Sequence, residues 1–270
     1  MAVTEIQSTS RIAVVGTGYV GLTTGACFAQ LGHDVMCADI DQSKVDKLKR
    51  GEIPIHEDGL ETIVQENQKA GRLDFVLGAE AAVKGREFIY LCVPTPQGAD
   101  GRADLSYVEA AAKEIAPFLD RGAIVVNKST VPVGSTLLVE RAMNRPDVHV
   151  VSNPEFLREG SAVGDFLNPD RVVIGAEDRG AASRVAALYL GVRAPILITD
   201  PASAETCKYA ANAFLATKIS FANAVAAVCE AAGADVADVL MGIGYDSRIC
   251  LLYTSPSPRD RTRSRMPSSA

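Results

Sequence analysis

Arg11-Ile12-Ala13-Val14-Val15-Gly16-Thr17-Gly18-Tyr19-Val20-Gly21 is the stretch that decides the fold. Its apolar, β-branched start reads as a buried strand, and the glycines follow without a spacer. The result is G-x-G-x-x-G at a strand-to-helix turn. The first glycine permits the tight turn, the second lets a pyrophosphate approach the backbone, and the third lets the helix pack closely on the strand. The helix that begins there presents free N–H groups and roughly half a unit of positive charge to phosphates. A lone G-x-G-x-x-G is a weak signal, so the second half of the fingerprint matters. Val35-Met36-Cys37-Ala38-Asp39 is a second strand ending in an acid at about the twenty-residue distance at which a carboxylate accepts both ribose hydroxyls of an adenosine. Ile40 and Asp41 follow, with no arginine to hold a 2′-phosphate, so NAD is favoured over NADP. The competing interpretation is an ordinary βα turn with Asp39 as a solvated strand end.

Outward from this turn, strands alternate with helices: a helix over 20–31, a strand over 34–39 and a helix over 42–50. Gly51-Glu52-Ile53-Pro54-Ile55 breaks the pattern, and a helix over 58–70 follows with Asp58 and Glu61 in its first turn. Phe88-Ile89-Tyr90-Leu91-Cys92-Val93 has the continuous apolar character of a central parallel strand and runs into the rigid loop Pro94-Thr95-Pro96. A helix over 105–119, a strand over 123–127 and the loop Lys128-Ser129-Thr130 come next, then a helix with Pro132 in its first turn. Strands over 148–151, 171–175 and 195–199 complete the series. Such alternation specifies an α/β, Rossmann-type doubly wound parallel sheet with helices on both faces. The polar loops at 94–96, 128–130 and 152–160 all follow the C-terminal ends of strands and are expected to line one cleft.

Asp200 caps and Pro201 opens a long helix that runs to residue 232 and stops at Gly233, about 45 Å at 1.5 Å per residue. Cys207, Phe214, Phe221 and Val228 recur every seven residues with Val225 between them, a narrow apolar seam. The seam packs either on its own domain or on a second copy, and a helix reaching this far beyond a sheet favours a homodimer. A short helix over 235–241 ends at Gly242. The expected organisation is a disordered leader (1–10), an NAD-binding Rossmann-like domain (11–200), the helical start of a central dimerisation domain (201–249) and a disordered tail (250–270). In the tail, Pro, Ser and Arg occur without periodicity, too polar to offset ordering entropy, and the segment reads as non-native read-through.

A net charge of −6 with a pI near 5.2 argues against nucleic acid or an anionic membrane as partner, so anionic substrates must be held by local groups. No secretory signal is recognisable, and the apolar stretch 210–228 is interrupted by Asn212, Lys218 and Asn223, which argues against a membrane span. The six cysteines, Cys27, Cys37, Cys92, Cys207, Cys229 and Cys250, form no C-x-x-C pair. They fit small, reduced, apolar residues of a cytoplasmic protein. No metal site is assigned.

Taken together, these loops resemble the UDP-glucose 6-dehydrogenase family of nucleotide-sugar dehydrogenases over about residues 11–249. The resemblance rests on Gly16-Thr17-Gly18-Tyr19-Val20-Gly21-Leu22, Val93-Pro94-Thr95-Pro96 and Lys128-Ser129-Thr130-Val131-Pro132-Val133-Gly134. It continues through Asn153-Pro154-Glu155-Phe156-Leu157-Arg158-Glu159-Gly160, Pro169-Asp170-Arg171-Val172-Val173-Ile174-Gly175, Lys208-Tyr209-Ala210-Ala211-Asn212 and Gly244-Tyr245-Asp246-Ser247-Arg248-Ile249, all in family order. It implies a four-electron oxidation of the sugar C6 hydroxyl through an aldehyde, a cysteine-bound thioester and a carboxylate. Hydride loss from an alcohol needs a base for the proton and a cation for the developing alkoxide. Lys208 and Asn212 lie four apart on one helix, so both can reach one oxygen; pairing of Lys208 with Glu205 on a solvated face is the competing possibility. By resemblance Lys208 and Asn212 flank the C6 oxygen, Glu155 activates the hydrolytic water and Thr130 positions it. Phe156, Leu157 and Arg158 then bind substrate through their backbone. Glu159, Thr95, Thr130, Val20, Tyr19, Asp39 and Lys44 contact NAD, and Arg248 reaches a neighbouring subunit's sugar.

The family then continues into a glycine-rich loop with the nucleophilic cysteine and a nucleotide-sugar domain, whereas here Cys250 directly follows Ile249, where the family has glycine. Without a thiolate the thioester cannot form, so this chain is expected to bind NAD without completing the oxidation. The alternatives are a GDP-mannose enzyme, a two-electron 3-hydroxyacid-type dehydrogenase, which has no use for the Glu155 loop, and a non-enzymatic NAD-binding or dimer-forming module.

Overall fold

A computed structural model describes residues 9–99 and 101–249. Most of the expected leader and all of the expected tail, Cys250 included, lie outside the described residues. The chain forms two compact units, one ending at Lys208 and one starting at Tyr209.

The first unit is built on one eight-stranded sheet in the order β3-β2-β1-β4-β5-β6-β7-β8. Strand β1 (Arg11–Val15) leads through α1 (Tyr19–Gln30) to β2 (Asp34–Asp39), and then α2 (Gln42–Lys49) and α3 (Leu60–Lys69) lead to β3 (Leu73–Leu77). The chain returns through α4 (Ala79–Val83) to β4 (Phe88–Leu91) on the other side of β1. Next come α5 (Ser106–Ile115), a 3-10 turn (Ala116–Phe118), β5 (Ile124–Asn127), α6 (Ser135–Met143) and β6 (His149–Ser152). Strands β1 to β6 are mutually parallel, and the strand order reverses between β1 and β4. In an open α/β sheet the crevice at such a reversal is where ligands bind, and Gly16 stands at its lip.

Alternate strand residues feed two apolar layers, as a two-residue period requires. Ile12, Val14, Phe75 and Tyr90 pack under α1 and α3, whereas Ala13, Val15, Ile89 and Leu91 pack under α4 and α5. An aromatic cluster tightens the first layer: the Phe28 ring lies 5.0 Å from Tyr90, 5.1 Å from Phe166 and 5.3 Å from Tyr189.

Several expectations need correction. β3 and α4 are missing from the alternation read above because β3 is a short edge strand with Asp74 exposed and α4 spans 5 residues. α7 (Ala162–Leu167) and α8 (Arg179–Ala187) were likewise unread. The helix after β5 begins at Ser135, beyond a left-handed Gly134, so Pro132 lies before it and not in its first turn. The helix expected over 58–70 starts at Leu60, because Gly59 takes φ +80°. β7 (Val172–Gly175) runs antiparallel to β6, and β8 (Ile196–Thr199) follows β7, so the sheet is not parallel throughout. Continuous apolar runs carry no directional signal, which hides this reversal in the sequence.

α9 (Pro201–Ala232) begins in the first unit; the Asp200 carboxylate accepts from the Ser203 amide at 2.8 Å, and Gly233 ends the helix at φ +69°. By length and composition alone it is long and apolar enough to cross a membrane. In the second unit Phe214, Phe221 and Val228 are 64%, 50% and 67% exposed among the described residues. α10 (Val236–Gly244) extends past Gly242 and is capped by Asp235, which accepts from Ala237 at 2.7 Å.

Candidate active site

The glycine-rich turn is shaped by contact on one side and by open space on the other. Gly16 has φ +96°, and a Cβ there would meet the Cys92 carbonyl oxygen at 2.6 Å. A Cβ on Gly21 would lie 1.9 Å from the Gly16 carbonyl oxygen, which is the close helix–strand approach the motif requires. Gly18 has φ −66°, and a Cβ there would meet nothing within 4 Å. The fold therefore has no need of glycine at position 18, whereas a ligand approaching the backbone does.

Asp39 ends β2 beside this turn. Its Oδ2 accepts from the Thr17 amide at 3.0 Å, from the Thr17 hydroxyl, and from Lys44 Nζ at 2.8 Å. Oδ1 accepts from the Asp41 amide at 3.2 Å and retains acceptor capacity. Burial works to raise the carboxyl pKa, but the bonds from Lys44 and Thr17 outweigh it and bring it down to about 2. Asp39 is thus no solvated strand end: it is a fixed anion wired to the Gly16-Thr17-Gly18 turn.

The loops after β4, β5 and β6 meet at the same end of the sheet. Thr95 Oγ1 donates to the Thr130 carbonyl at 2.9 Å, and Ser129 Oγ donates to the Val93 carbonyl at 2.7 Å. The Thr130 hydroxyl lies 3.5 Å from Glu155 Oε1, which also pairs with Lys208 Nζ at 2.9 Å. Both side chains of this pair are nearly buried, at 9% exposure for Lys208 and 11% for Glu155. The Lys208 ammonium also sits 5.4 Å from the Phe156 ring centre, with the Arg171 guanidinium 3.7 Å over the same ring. Glu205 takes no part in pairing Lys208. It is buried and accepts from the Gly134 and Thr136 amides at 2.6 and 2.9 Å, fastening α9 to the start of α6. Gly175 completes this seating, since a Cβ there would strike Ala204 of α9 at 2.5 Å.

Residues 156–160 are already engaged with the protein. The Leu157 amide donates to Glu155 Oε2 at 2.6 Å, and the Arg158 amide to Asp165 at 2.9 Å. The Arg158 guanidinium pairs with Asp165, and the Arg158 carbonyl accepts from the Tyr19 hydroxyl at 2.8 Å. Glu159 is exposed. Asn212 and Arg248 belong to the second unit, where the exposed Arg248 pairs with Asp246 at 2.6 Å.

Two further buried charges, Glu57 and Lys128, have nothing in their spacing that marks them, and Glu205 is buried and not on a solvated face. Lys128 Nζ donates to Asn153 Oδ1 at 3.2 Å and to the Tyr189 hydroxyl at 3.4 Å, beneath the loop that carries Glu155. Burial pushes its ammonium down from 10.5 to about 8, partly opposed by Glu155 and its thiol neighbours. A cation whose folded pKa is depressed costs stability below that pKa, and the cost is relieved as pH rises toward the unfolded value. Stability is therefore expected to rise by up to about 3 kcal/mol between pH 8 and 10.5 through this group, at about 1.4 kcal/mol per pKa unit. Urea unfolding of the wild type and Lys128→Met across that range checks this: the variant should lack the rise, and parallel profiles would contradict it. Burial likewise pushes the Cys27 and Cys92 thiols up to about 12 and raises Cys37 further, so none of these three is a nucleophile at neutral pH.

The chain is similar to known proteins along most of its length. Residues 10–192 match the UDP-glucose/GDP-mannose dehydrogenase family, NAD binding domain, and residues 202–259 match the same family's central domain. UDP-glucose 6-dehydrogenase TuaD of Bacillus subtilis is 50% identical over 244 residues, covering 88% of this chain and 53% of its own length. The structure of a UDP-glucose dehydrogenase from Pyrobaculum islandicum superposes with a TM-score of 0.87 at 44% identity, covering 93% of this chain and 60% of its own. A GDP-mannose dehydrogenase ternary complex from Pseudomonas aeruginosa gives 0.83 at 32% identity, covering 94% and 63%. The chain thus spans about half the length of the curated relatives it matches. With a dinucleotide fingerprint, an anion-ended β2 and both family domains matched in order, the chain belongs to the UDP-glucose/GDP-mannose dehydrogenase family.

Proposed function

We propose that this chain binds NAD across residues 16–21 and Asp39, and presents UDP-glucose to it at Thr130, Glu155 and Lys208 for oxidation at the C6 hydroxyl. The observation that carries this is the nearly buried Lys208–Glu155 pair, 2.9 Å apart, with Lys208 on α9 and Glu155 on the loop after β6, at the same end of the sheet as the glycine turn. The open space over Gly18 and the free capacity of Asp39 Oδ1 suit a pyrophosphate and a ribose. When bound, NAD supplies a hydride acceptor. Lys208 supplies fixed positive charge to a developing alkoxide in a site that excludes most water. Glu155 supplies a base held by Lys208 and the Leu157 amide, and Thr130 a hydroxyl beside it. Asn212 is assigned the same substrate oxygen, and Arg248 a sugar in a second subunit, on sequence resemblance. Tyr19, Val20, Lys44, Thr95 and Glu159 complete the proposed NAD contacts, and Phe156, Leu157 and Arg158 the substrate contacts.

We further assign the exposed Phe214, Phe221 and Val228 seam to a homodimer and the chain to the cytoplasm. Sedimentation equilibrium should give twice the monomer mass; a monomer at high concentration would contradict the dimer. The 270-residue chain is expected to bind NAD and the nucleotide sugar without releasing UDP-glucuronate, because the second oxidation calls for a reactive thiolate. Incubation with NAD and UDP-glucose, followed by product analysis, tests this; UDP-glucuronate would overturn it, and preferential binding of GDP-mannose would favour that substrate instead.

Removing Asp39 should be costly. A charge-assisted ribose hydrogen bond to the open site on Oδ1 is worth about 1.5 to 3 kcal/mol, so Asp39→Ala should weaken NAD roughly 10- to 100-fold while leaving NADP little changed. Equal losses for both dinucleotides would place the ribose elsewhere.

A further inference from the structure

Glu57 lies in the segment between α2 and α3 and is 7% exposed, yet it is neither in the glycine turn nor in the sugar loop. Its carboxylate joins the two. Oε1 accepts from the Tyr19 hydroxyl at 2.6 Å and from the Gly160 amide, and Oε2 accepts from the Ala162 amide at 3.0 Å. Tyr19 is the first residue of α1, directly after Gly18. Gly160 and Ala162 lie where residues 155–160 run into α7. One buried anion therefore holds the start of the dinucleotide helix and the end of the sugar loop, more than 100 residues apart in sequence.

The Tyr19 hydroxyl adds a second link. It lies 2.8 Å from the Arg158 carbonyl as well as 2.6 Å from Glu57, and a phenol has one proton to give. How that proton is shared depends on where the N-terminus of α1 stands relative to the loop. A dinucleotide drawing on the amides of that N-terminus acts on one end of this arrangement, and Arg158 and Gly160 are the other. Burial first, and then the Glu57 carboxylate, raise the Tyr19 pKa, which keeps the phenol a donor throughout the physiological range.

We propose that Glu57 is a positioning residue that couples the dinucleotide turn to the loop of residues 155–160, so that binding at the turn orders the loop that receives the sugar. This rests on the assignment of a dinucleotide to residues 16–21. A buried carboxylate whose acceptors are filled by groups from both segments can transmit a shift only while both bonds are made, and the Tyr19–Arg158 bond runs beside it between the same two segments.

The test is hydrogen exchange of the full chain, read on peptides covering residues 156–167, without dinucleotide and with NAD at saturation for each variant. In the wild type NAD should slow exchange of this segment by about fivefold or more, the lower end of ordinary site-to-site coupling. In Glu57→Gln, which keeps the shape but loses an acceptor and the charge, the ratio between the two states should fall toward one, and Tyr19→Phe, which removes the hydroxyl's bonds to both Glu57 and Arg158, should lower it in the same direction. A purely structural Glu57 would speed exchange equally in both states and leave the ratio at its wild-type value. That result in Glu57→Gln, or a ratio of one in the wild type at saturation, overturns the coupling. Absence of NAD binding by the wild type in the accompanying titration is a different failure, which overturns the dinucleotide assignment and the coupling with it.

Discussion

Alanine at Gly18 should leave the fold intact and remove the dinucleotide, whereas alanine at Gly21 should remove the fold. A Cβ at position 18 meets nothing within 4 Å, and its φ of −66° is open to any residue. Its stability cost should stay within about 0.5 kcal/mol, which is roughly 2 °C in melting temperature for a chain of this size. In the proposed NAD site the same methyl stands where the pyrophosphate would approach the backbone, so NAD affinity should fall at least 30-fold, or about 2 kcal/mol. At position 21 the added Cβ would lie 1.9 Å from the Gly16 carbonyl oxygen and 3.0 Å from Cys92 Cβ. The nearer atom is backbone, so α1 must lift from the sheet, and the loss should exceed about 4 kcal/mol, in the range reserved for gross core disruption. Thermal melts of both variants with and without NAD separate these outcomes. A Gly18→Ala protein that still binds NAD as the wild type does would mean that the turn faces no phosphate.

Lys208→Met should be the most damaging substitution outside the glycine turn. It strands the Glu155 carboxylate, 11% exposed, with only the Leu157 amide at 2.6 Å and the Thr130 hydroxyl at 3.5 Å in reach among the described contacts. Removing one member of a buried ion pair costs about 3 to 5 kcal/mol, mostly the penalty of the charge left behind. The double variant Lys208→Met with Glu155→Leu should recover most of that loss, because replacing both charges by apolar groups is close to neutral. Urea denaturation of the two proteins tests this. A single-variant loss under about 1 kcal/mol would show that the pair is as solvated as a surface salt bridge.

The contrast between Gly18 and Gly21 also shows what was legible in the sequence. The strand run, the glycine spacing and Asp39 lie within one local βαβ segment, where period and spacing report directly on geometry, and they place the turn and the core strands. That the loops carrying Thr95, Thr130 and Glu155 meet was legible because each follows a strand of the parallel set. The roles of Glu57, Glu205 and Lys128 were not legible, since each residue acts on a segment far away in sequence: Glu205 caps α6 across 69 residues or more, and Glu57 reaches Gly160 across 103. No local pattern encodes such a partner. The reversal of β7 was hidden for a related reason: a buried strand reads the same in either direction, and only its pairing with β6 fixes the sense. The resemblance identified Lys208 as the cation, but the freedom of Glu205 to cap α6, which leaves Lys208 to Glu155, becomes visible only in three dimensions.

The central claim is that residues 16–21 and Asp39 form an NAD site selective against a 2′-phosphate. Isothermal titration of the wild-type chain with NAD, and in parallel with NADP, tests it most directly. The expected result is a saturable heat with NAD at one site per chain and affinity for NADP at least 10-fold lower, a difference of about 1.4 kcal/mol. No saturable heat with NAD, or equal affinity for the two dinucleotides, would contradict it.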